Sequence, residues 1–368
     1  MKQTVYTDKR IDTILPEILE SRAVRKLFVV CGQSCRRLKV AEDVAALPAE
    51  KIWFQDFRSN PDYDSVVNGI QEYKKASCDA ILAIGGGSAM DVAKCIKLFS
   101  GMEETENYLR QTPVGNNIPL IAVPTTAGTG SEATRFAVIY FQGEKQSVTH
   151  DSILPEYVFL MPEVLEELPL YQKKATSLDA LCHAVESFWS VNSTEESRAL
   201  SGEAIRLIDK YLAPYLKGNQ TAATEMFQAA YIAGEAINIT QTTAGHAMCY
   251  KLTSLYKISH GHAAALCVEK LWPYMLRHIE DCTDGRGKEY LEKSFAELAD
   301  VFGCADAKAA ADKFCEIMRK LELPELTEEG NIEIQRLVKS VNLTRLKNNP
   351  VKLDEKALTE LYEEILKR

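Results

Sequence analysis

Three short apolar runs, each closed by small residues, constrain this chain more than any other feature. They are RKLFVVCG (25–32), CDAILAIGGG (78–87) and IPLIAVPTTAGTGS (118–131), and each reads as a buried strand. DSVVNGIQEYKKA and SAMDVAKCIKLFS lie between them and have helical periodicity. Continuous apolar strands alternating with helices predict a parallel sheet covered on both faces. VIYFQGEKQSVTHDSILPEYVFL (138–160) predicts further strands joined by turns.

The pattern changes near MPEVLEELPLYQ, where Pro162 and Pro169 flank a short acidic stretch. Beyond it, Leu200, Ile205, Ile208 and Leu212 recur at helical spacing, as do Leu291, Phe295, Leu298 and Phe302. The expected organisation is an α/β parallel-sheet domain over 1–165 and an all-helical domain over 166–368. A length of 368 residues suits two such domains. The net charge of −9 and the lack of a basic cluster argue against nucleic acid as a partner. No apolar run reaches the roughly 18–20 residues a membrane span needs, and the first twenty residues lack the apolar centre of a signal peptide. The ten cysteines are irregularly spaced with no CxxC pair, as expected of free thiols in a reducing cytoplasm rather than a zinc–thiolate site.

Two of the strands end in loops suited to a nucleotide. In ILAIGGGSAMDVAK, glycines lead directly into a helix whose first N–H groups and dipole favour an anion such as a pyrophosphate. A tight turn would explain one such loop equally well, and it is not the GxGxxG fingerprint. The second loop, PTTAGTGSEAT, adds hydroxyls and open N–H groups in the same half, which favours the nucleotide.

The helical half carries the metal signal. Asp179 and His183 are four apart and share a helix face, and His246 and His260 follow downstream. One carboxylate and three imidazoles suit a divalent cation such as Fe(II) or Zn(II), and leave a coordination position for substrate. Gly245 and Gly261 flank the later histidines. A metal beside a nicotinamide implies carbonyl polarisation coupled to hydride transfer.

Taken together, GGGSAMDVAK, PTTAGTGSEAT, DALCHAVES, the histidines on either side of KLTSLYKIS and the closing RLKNNPVKLDEKAL resemble the iron-containing (group III) alcohol dehydrogenases over nearly the whole chain. The resemblance implies a dinucleotide-binding domain followed by a helical metal domain of the dehydroquinate synthase-like type, with the active site in the cleft between them. It implies Asp179, His183, His246 and His260 as metal ligands. It places Gly85, Gly86, Gly87, Ser88 and Asp91 in the phosphate loop, and Thr125, Thr126 and Thr129 in the second cofactor segment. Dehydroquinate synthases and glycerol phosphate dehydrogenases share the architecture, but PTTAGTGSE and KNNPVKL favour the alcohol dehydrogenase branch. A homodimer is the expected assembly.

Three features are particular to this chain. Many family members carry a proton-relay histidine four residues after the third ligand; here the position is Tyr250, and Tyr250 and His262 are the catalytic candidates. NAD-preferring members often place an aspartate after the first strand, whereas this chain has Gly32 and Ser34 with Arg36 and Arg37 behind. That pattern predicts NADP(H), with NAD(H) the alternative. Finally, 244–266 and TRFAVIYFQGEKQSV resemble the branch that reduces phosphonoacetaldehyde to 2-hydroxyethylphosphonate, with Arg135 and Lys145 as the phosphonate-binding cations. The alternatives are a general short-chain alcohol or diol dehydrogenase and a non-catalytic nucleotide-binding protein of the same fold.

Overall fold

The computed structural model describes residues 3–7, 9–104, 106–326, 334–341 and 343–367. The chain divides into two units, Met1–Leu168 and Pro169–Arg368. The strands of the first are β1 (Thr4–Thr7), β2 (Lys26–Cys31), β3 (Glu50–Phe54), β4 (Ala80–Gly85), β5 (Leu120–Pro124), β6 (Phe136–Phe141), β7 (Glu144–Thr149) and β8 (Tyr157–Leu160). Its helices are α1 (Ile11–Ser21), α2 (Lys39–Ala45), α3 (Tyr63–Ala76) and α4 (Gly87–Phe99).

Six strands form one sheet in the order β3-β2-β4-β5-β8-β1, and every pairing in it is parallel. The three apolar runs supply β2, β4 and β5, which are buried along nearly their whole length. β6 and β7 pair separately as an antiparallel hairpin. Strand order reverses between β2 and β4, and α/β sheets form their ligand crevice outside the carboxyl ends of such a pair. Both ends here are glycine-marked, by Gly32 after β2 and by Gly85–Gly87 after β4.

Helix α4 is fixed to the sheet by a buried ion pair. Lys97 Nζ donates to Glu156 Oε1 at 2.9 Å, and Glu156 Oε2 accepts from the Leu120 amide of β5 at 2.6 Å. Breaking such a pair at one end is costly because the other charge stays buried. The pair anchors the last turn of α4, at the end of the helix away from the glycine turn.

The second unit contains α5 (Leu170–Trp189), α6 (Glu195–Leu216), α7 (Gln220–Thr240), α8 (Ala244–Tyr256), α9 (His260–Arg277), α10 (Lys288–Val301), α11 (Ala307–Lys320), α12 (Ile334–Lys339), α13 (Leu343–Leu346) and α14 (Glu355–Leu366). Among the described residues it has no strand, only an isolated bridge between Cys282 and Val351. The parallel sheet and the helical second unit bear out the expected fold class. Helix α5 packs against α6, α7 and α9 and is buried on all sides from Ser177 to Trp189. Of the apolar face expected in 197–212, Ile205, Ile208 and Leu212 are buried and Leu200 is half-buried. The NNP of the closing segment ties helix junctions together: Asn348 Nδ2 donates to Thr242 O at 3.0 Å, and Asn192 Nδ2 donates to Asn348 Oδ1 at 3.1 Å. None of the ten cysteines is in a disulfide, and among the described residues no helix is long and apolar enough to cross a membrane.

Candidate active site

In the first unit, the two proposed cofactor loops pack on each other. Gly85 has φ +157°, and a Cβ there would lie 2.6 Å from the Cβ of Ala89. A Cβ on Gly86 would meet Thr126 Oγ1 at 3.3 Å, and one on Gly87 would meet Thr129 Cγ2 at 3.1 Å. The glycines thus let the turn lie directly on the Thr126–Thr129 loop. Thr125 N also donates to Gly85 O at 3.0 Å. Gly86 caps α4 without a side-chain acceptor, and its carbonyl takes the Ala89 and Met90 amides, which leaves those of Gly87 and Ser88 for an anion. Ser88 lies in that turn and is half-buried.

Asp91 and the unforeseen Lys94 join the two loops beneath the turn. Ser131 Oγ donates to Asp91 Oδ1 at 3.1 Å. The fully buried Lys94 Nζ donates to the carbonyls of Ser131, Thr134 and Phe136 at 2.6, 2.8 and 2.7 Å. Desolvation pushes Asp91 up to about 6 and Lys94 down to about 8, each partly offset by the other's charge. Lys94 was legible in principle, three residues beyond Asp91 in the same motif.

Gly32 precedes a 3-10 turn over Gln33–Arg37, and Ser34, Arg36 and Arg37 are exposed there. The two cations proposed for substrate are not brought together. Arg135 stands at the open end of the β6–β7 hairpin, and its Nη1 donates to the exposed Asp151 Oδ1 at 3.1 Å. Lys145 pairs with Tyr140 near the turn, five residues or roughly 16 Å along the strand. Its charge favours the ionised form of Asp91.

In the second unit, donor atoms of Asp179, His246 and His260 all lie within 4.8 Å of one another. His183 is not one of that set, but its Nε2 is 4.0 Å from Asp179 Oδ1 and its ring stacks on His246 at 4.5 Å. Asp179 Oδ1 and His246 Nε2 are 3.4 Å apart, and both are buried without a hydrogen-bond partner. Burial raises the Asp179 carboxyl, yet His183, His260 and His246 outweigh it and hold the group well below the carboxylate range. Burial lowers His246, but Glu186 and Asp179 together push it up to about 9. The cluster thus favours positive charge beside Asp179, and a divalent metal at these donors would fit it.

The glycines flanking the histidines provide room. A Cβ on Gly245 would lie 2.6 Å from Val268 Cγ2 and 3.0 Å from Glu186 Oε1. One on Gly261 would lie 2.1 Å from the Ala175 carbonyl oxygen, so the start of α9 lies against the backbone of α5. The catalytic candidates separate. Tyr250 is one turn beyond His246 and stacks on His260 at 5.6 Å. His262 is buried, and its Nδ1 is 3.2 Å from Tyr171 Oη, which in turn accepts from Ser259 N at 3.0 Å. Sequence reasoning missed Glu186, although Asp179, His183 and Glu186 at i, i+4 and i+7 share one helix face. Nothing in the sequence pointed to Tyr171 or Thr243.

Comparison with known proteins covers both units. The family model for iron-containing alcohol dehydrogenase matches residues 3–162, and the C-terminal model of the Fe-containing alcohol dehydrogenase family matches residues 173–366. Phosphonoacetaldehyde reductase of Streptomyces viridochromogenes is 32% identical over 320 residues, covering 82% of this chain and 80% of that protein. Choline dehydrogenase of Bacillus subtilis is 30% identical over 347 residues, covering 88% and 82%. Among solved structures, sulfoacetaldehyde reductase from Bifidobacterium kashiwanohense in complex with NAD+ superposes with a TM-score of 0.87 at 27% identity, over 99% of this chain and 97% of that one.

Proposed function

The chain belongs to the iron-containing alcohol dehydrogenase family, and from that premise we propose that it is an Fe(II)-dependent, NADPH-linked reductase that converts phosphonoacetaldehyde to 2-hydroxyethylphosphonate. The family makes it an oxidoreductase of the alcohol–aldehyde type. The metal half of the reading is carried by the orphaned Asp179 Oδ1 and His246 Nε2. Leaving a buried carboxylate and imidazole unsatisfied is expensive unless a ligand completes them, which also disfavours a non-catalytic protein. Asp179, His183, His246 and His260 would hold the ion, and a nitrogen-rich donor set without thiolate suits Fe(II). When bound, the ion supplies Lewis acidity toward the carbonyl oxygen and the reduced nicotinamide supplies hydride. Gly85–Ser88 and the Thr125–Thr129 loop would hold the pyrophosphate. Tyr250, stacked on His260, offers a hydroxyl for the proton that the product alcohol gains. The bonded pair of His262 and Tyr171 holds the turn before His260.

The cofactor reading rests on Gly32, Ser34, Arg36 and Arg37. No carboxylate after β2 opposes a 2′-phosphate, and the serine and two exposed arginines are suited to bind it. NADPH is therefore expected to exceed NADH in kcat/KM. Gly32→Asp is a clean probe, since φ is −73° and a Cβ there meets nothing within 4 Å. It should reduce the NADPH preference about tenfold through repulsion of the phosphate. A wild-type protein that favours NADH tenfold would overturn the reading.

The substrate reading faces relatives of similar identity named for opposite head-group charges, an anionic phosphonate and a cationic choline. Arg135 favours the anion, since its present partner Asp151 is an exposed carboxylate that a phosphonate can displace. A charge-assisted hydrogen bond contributes about 1.5–3 kcal/mol, or roughly ten- to a hundredfold. Steady-state kcat/KM with NADPH and Fe(II) should favour phosphonoacetaldehyde over propionaldehyde by about a hundredfold. Arg135→Ala should erase most of that preference. Equal efficiency for both aldehydes would sink the phosphonate assignment and leave a general short-chain reductase.

A further inference from the structure

We infer that Glu186 is the positioning residue of the metal centre, whose carboxylate fixes the orientation and tautomer of His246. This rests on the metal reading above and deepens it. Glu186 lies two helical turns beyond Asp179 on α5 and is fully buried. Its Oε1 accepts from Thr243 N at 3.1 Å, Thr243 Oγ1 at 2.5 Å and His246 N at 3.3 Å. Its Oε2 faces His246 Nδ1. Two of these partners are backbone N–H groups, which can only donate, so Oε1 must be an acceptor. With Oε2 taking the proton on Nδ1, His246 presents the lone pair of Nε2 toward Asp179.

The same carboxylate builds the turn that delivers His246. Thr243 precedes α8 and has no side-chain cap of its own, so Glu186 takes up two amides of that helix start from across the bundle. The threonine hydroxyl is held at its other side by Trp189 Nε1, 3.1 Å away. Gly245 leaves the space, since a Cβ there would lie 3.0 Å from Glu186 Oε1. Glutamine has the same shape but only one acceptor oxygen. Whichever way its amide turns, an NH2 group confronts either the Thr243 and His246 amides or the Nδ1 proton.

The test measures metal affinity rather than turnover. Apoprotein would be titrated with Zn(II), and anaerobically with Fe(II), against a competing chelator, with thermal melting of the apo and loaded forms in parallel. Glu186→Gln should weaken both metals by ten- to a hundredfold, and the rise in melting temperature on loading should shrink accordingly. A purely structural role would lower both melting temperatures together and leave the dissociation constant unchanged, and that result would overturn the inference. Thr243→Val removes the hydroxyl that joins Glu186 to Trp189 Nε1 and should weaken metal severalfold; if Glu186→Gln does not fold, an unchanged affinity in Thr243→Val overturns the inference instead. Failure of the unmodified protein to take up either metal would sink the metal reading itself, and the inference with it.

Discussion

His260→Ala is expected to abolish turnover while leaving the helical unit folded. The residue supplies one of three donors within 4.8 Å of each other. It is also the first residue of α9 and only half-buried, so its loss removes little core. Alanine suits a helix start, and Ser259 still precedes it. A catalytic cation contributes several kcal/mol to transition-state stabilisation, and each 1.36 kcal/mol is tenfold in rate. The variant should therefore lose about a thousandfold or more in kcat, together with bound metal, while its circular dichroism spectrum stays that of the parent. His278→Ala is the control, because His278 lies at the end of α9 beside Asp281 and away from the donor set. It should stay within about twofold of the parent. Near-parental turnover and metal content in His260→Ala would show that the assignment of the ligands is wrong.

What the sequence revealed, and what it hid, follows from the range of the interactions involved. β2, β4 and β5 were legible because both faces of each are buried, and that demands continuous apolar residues. β1 and β3 escaped notice because they are the two edges of the sheet, where TVYT and EKIWF are only partly buried. Asp179 and His183 declared themselves through local helical spacing. His246 and His260 were legible as two of only six histidines, each beside a glycine. Their supports were harder to see. Thr243 and Tyr171 contribute through contacts 57 and 91 residues distant in the chain, and neither residue type marks a site by itself. The cations chosen for the phosphonate show the converse. Arg135 and Lys145 are close in sequence, yet the hairpin carries them to opposite ends.

Gly261→Ala is expected to damage fold and site together, and the sign of its effect discriminates sharply. On propensity alone, alanine inside a helix is worth roughly 1 kcal/mol more than glycine, so an unobstructed substitution would stabilise. Gly261 is obstructed. A Cβ there would lie 2.1 Å from the Ala175 carbonyl oxygen, 2.6 Å from Asp179 Cβ and 2.9 Å from Asp179 N. Two of these atoms are backbone of α5, so no change of rotamer relieves the clash and the helices must part. Overpacking of this kind costs about 1–3 kcal/mol and sometimes more. At roughly 2–4 °C per kcal/mol for a unit of this size, the melting temperature should fall by about 5–10 °C. The cost extends to the metal, because Asp179 is itself a donor and His260 adjoins the glycine. Parting α5 from α9 widens the spacing that the donor set depends on, so metal content should fall with stability. Gly285→Ala provides the comparison within the same unit: a Cβ there meets nothing within 4 Å, and its melting temperature should barely move. If the two variants melted and bound metal alike, close approach at Gly261 would not be what brings His260 to Asp179.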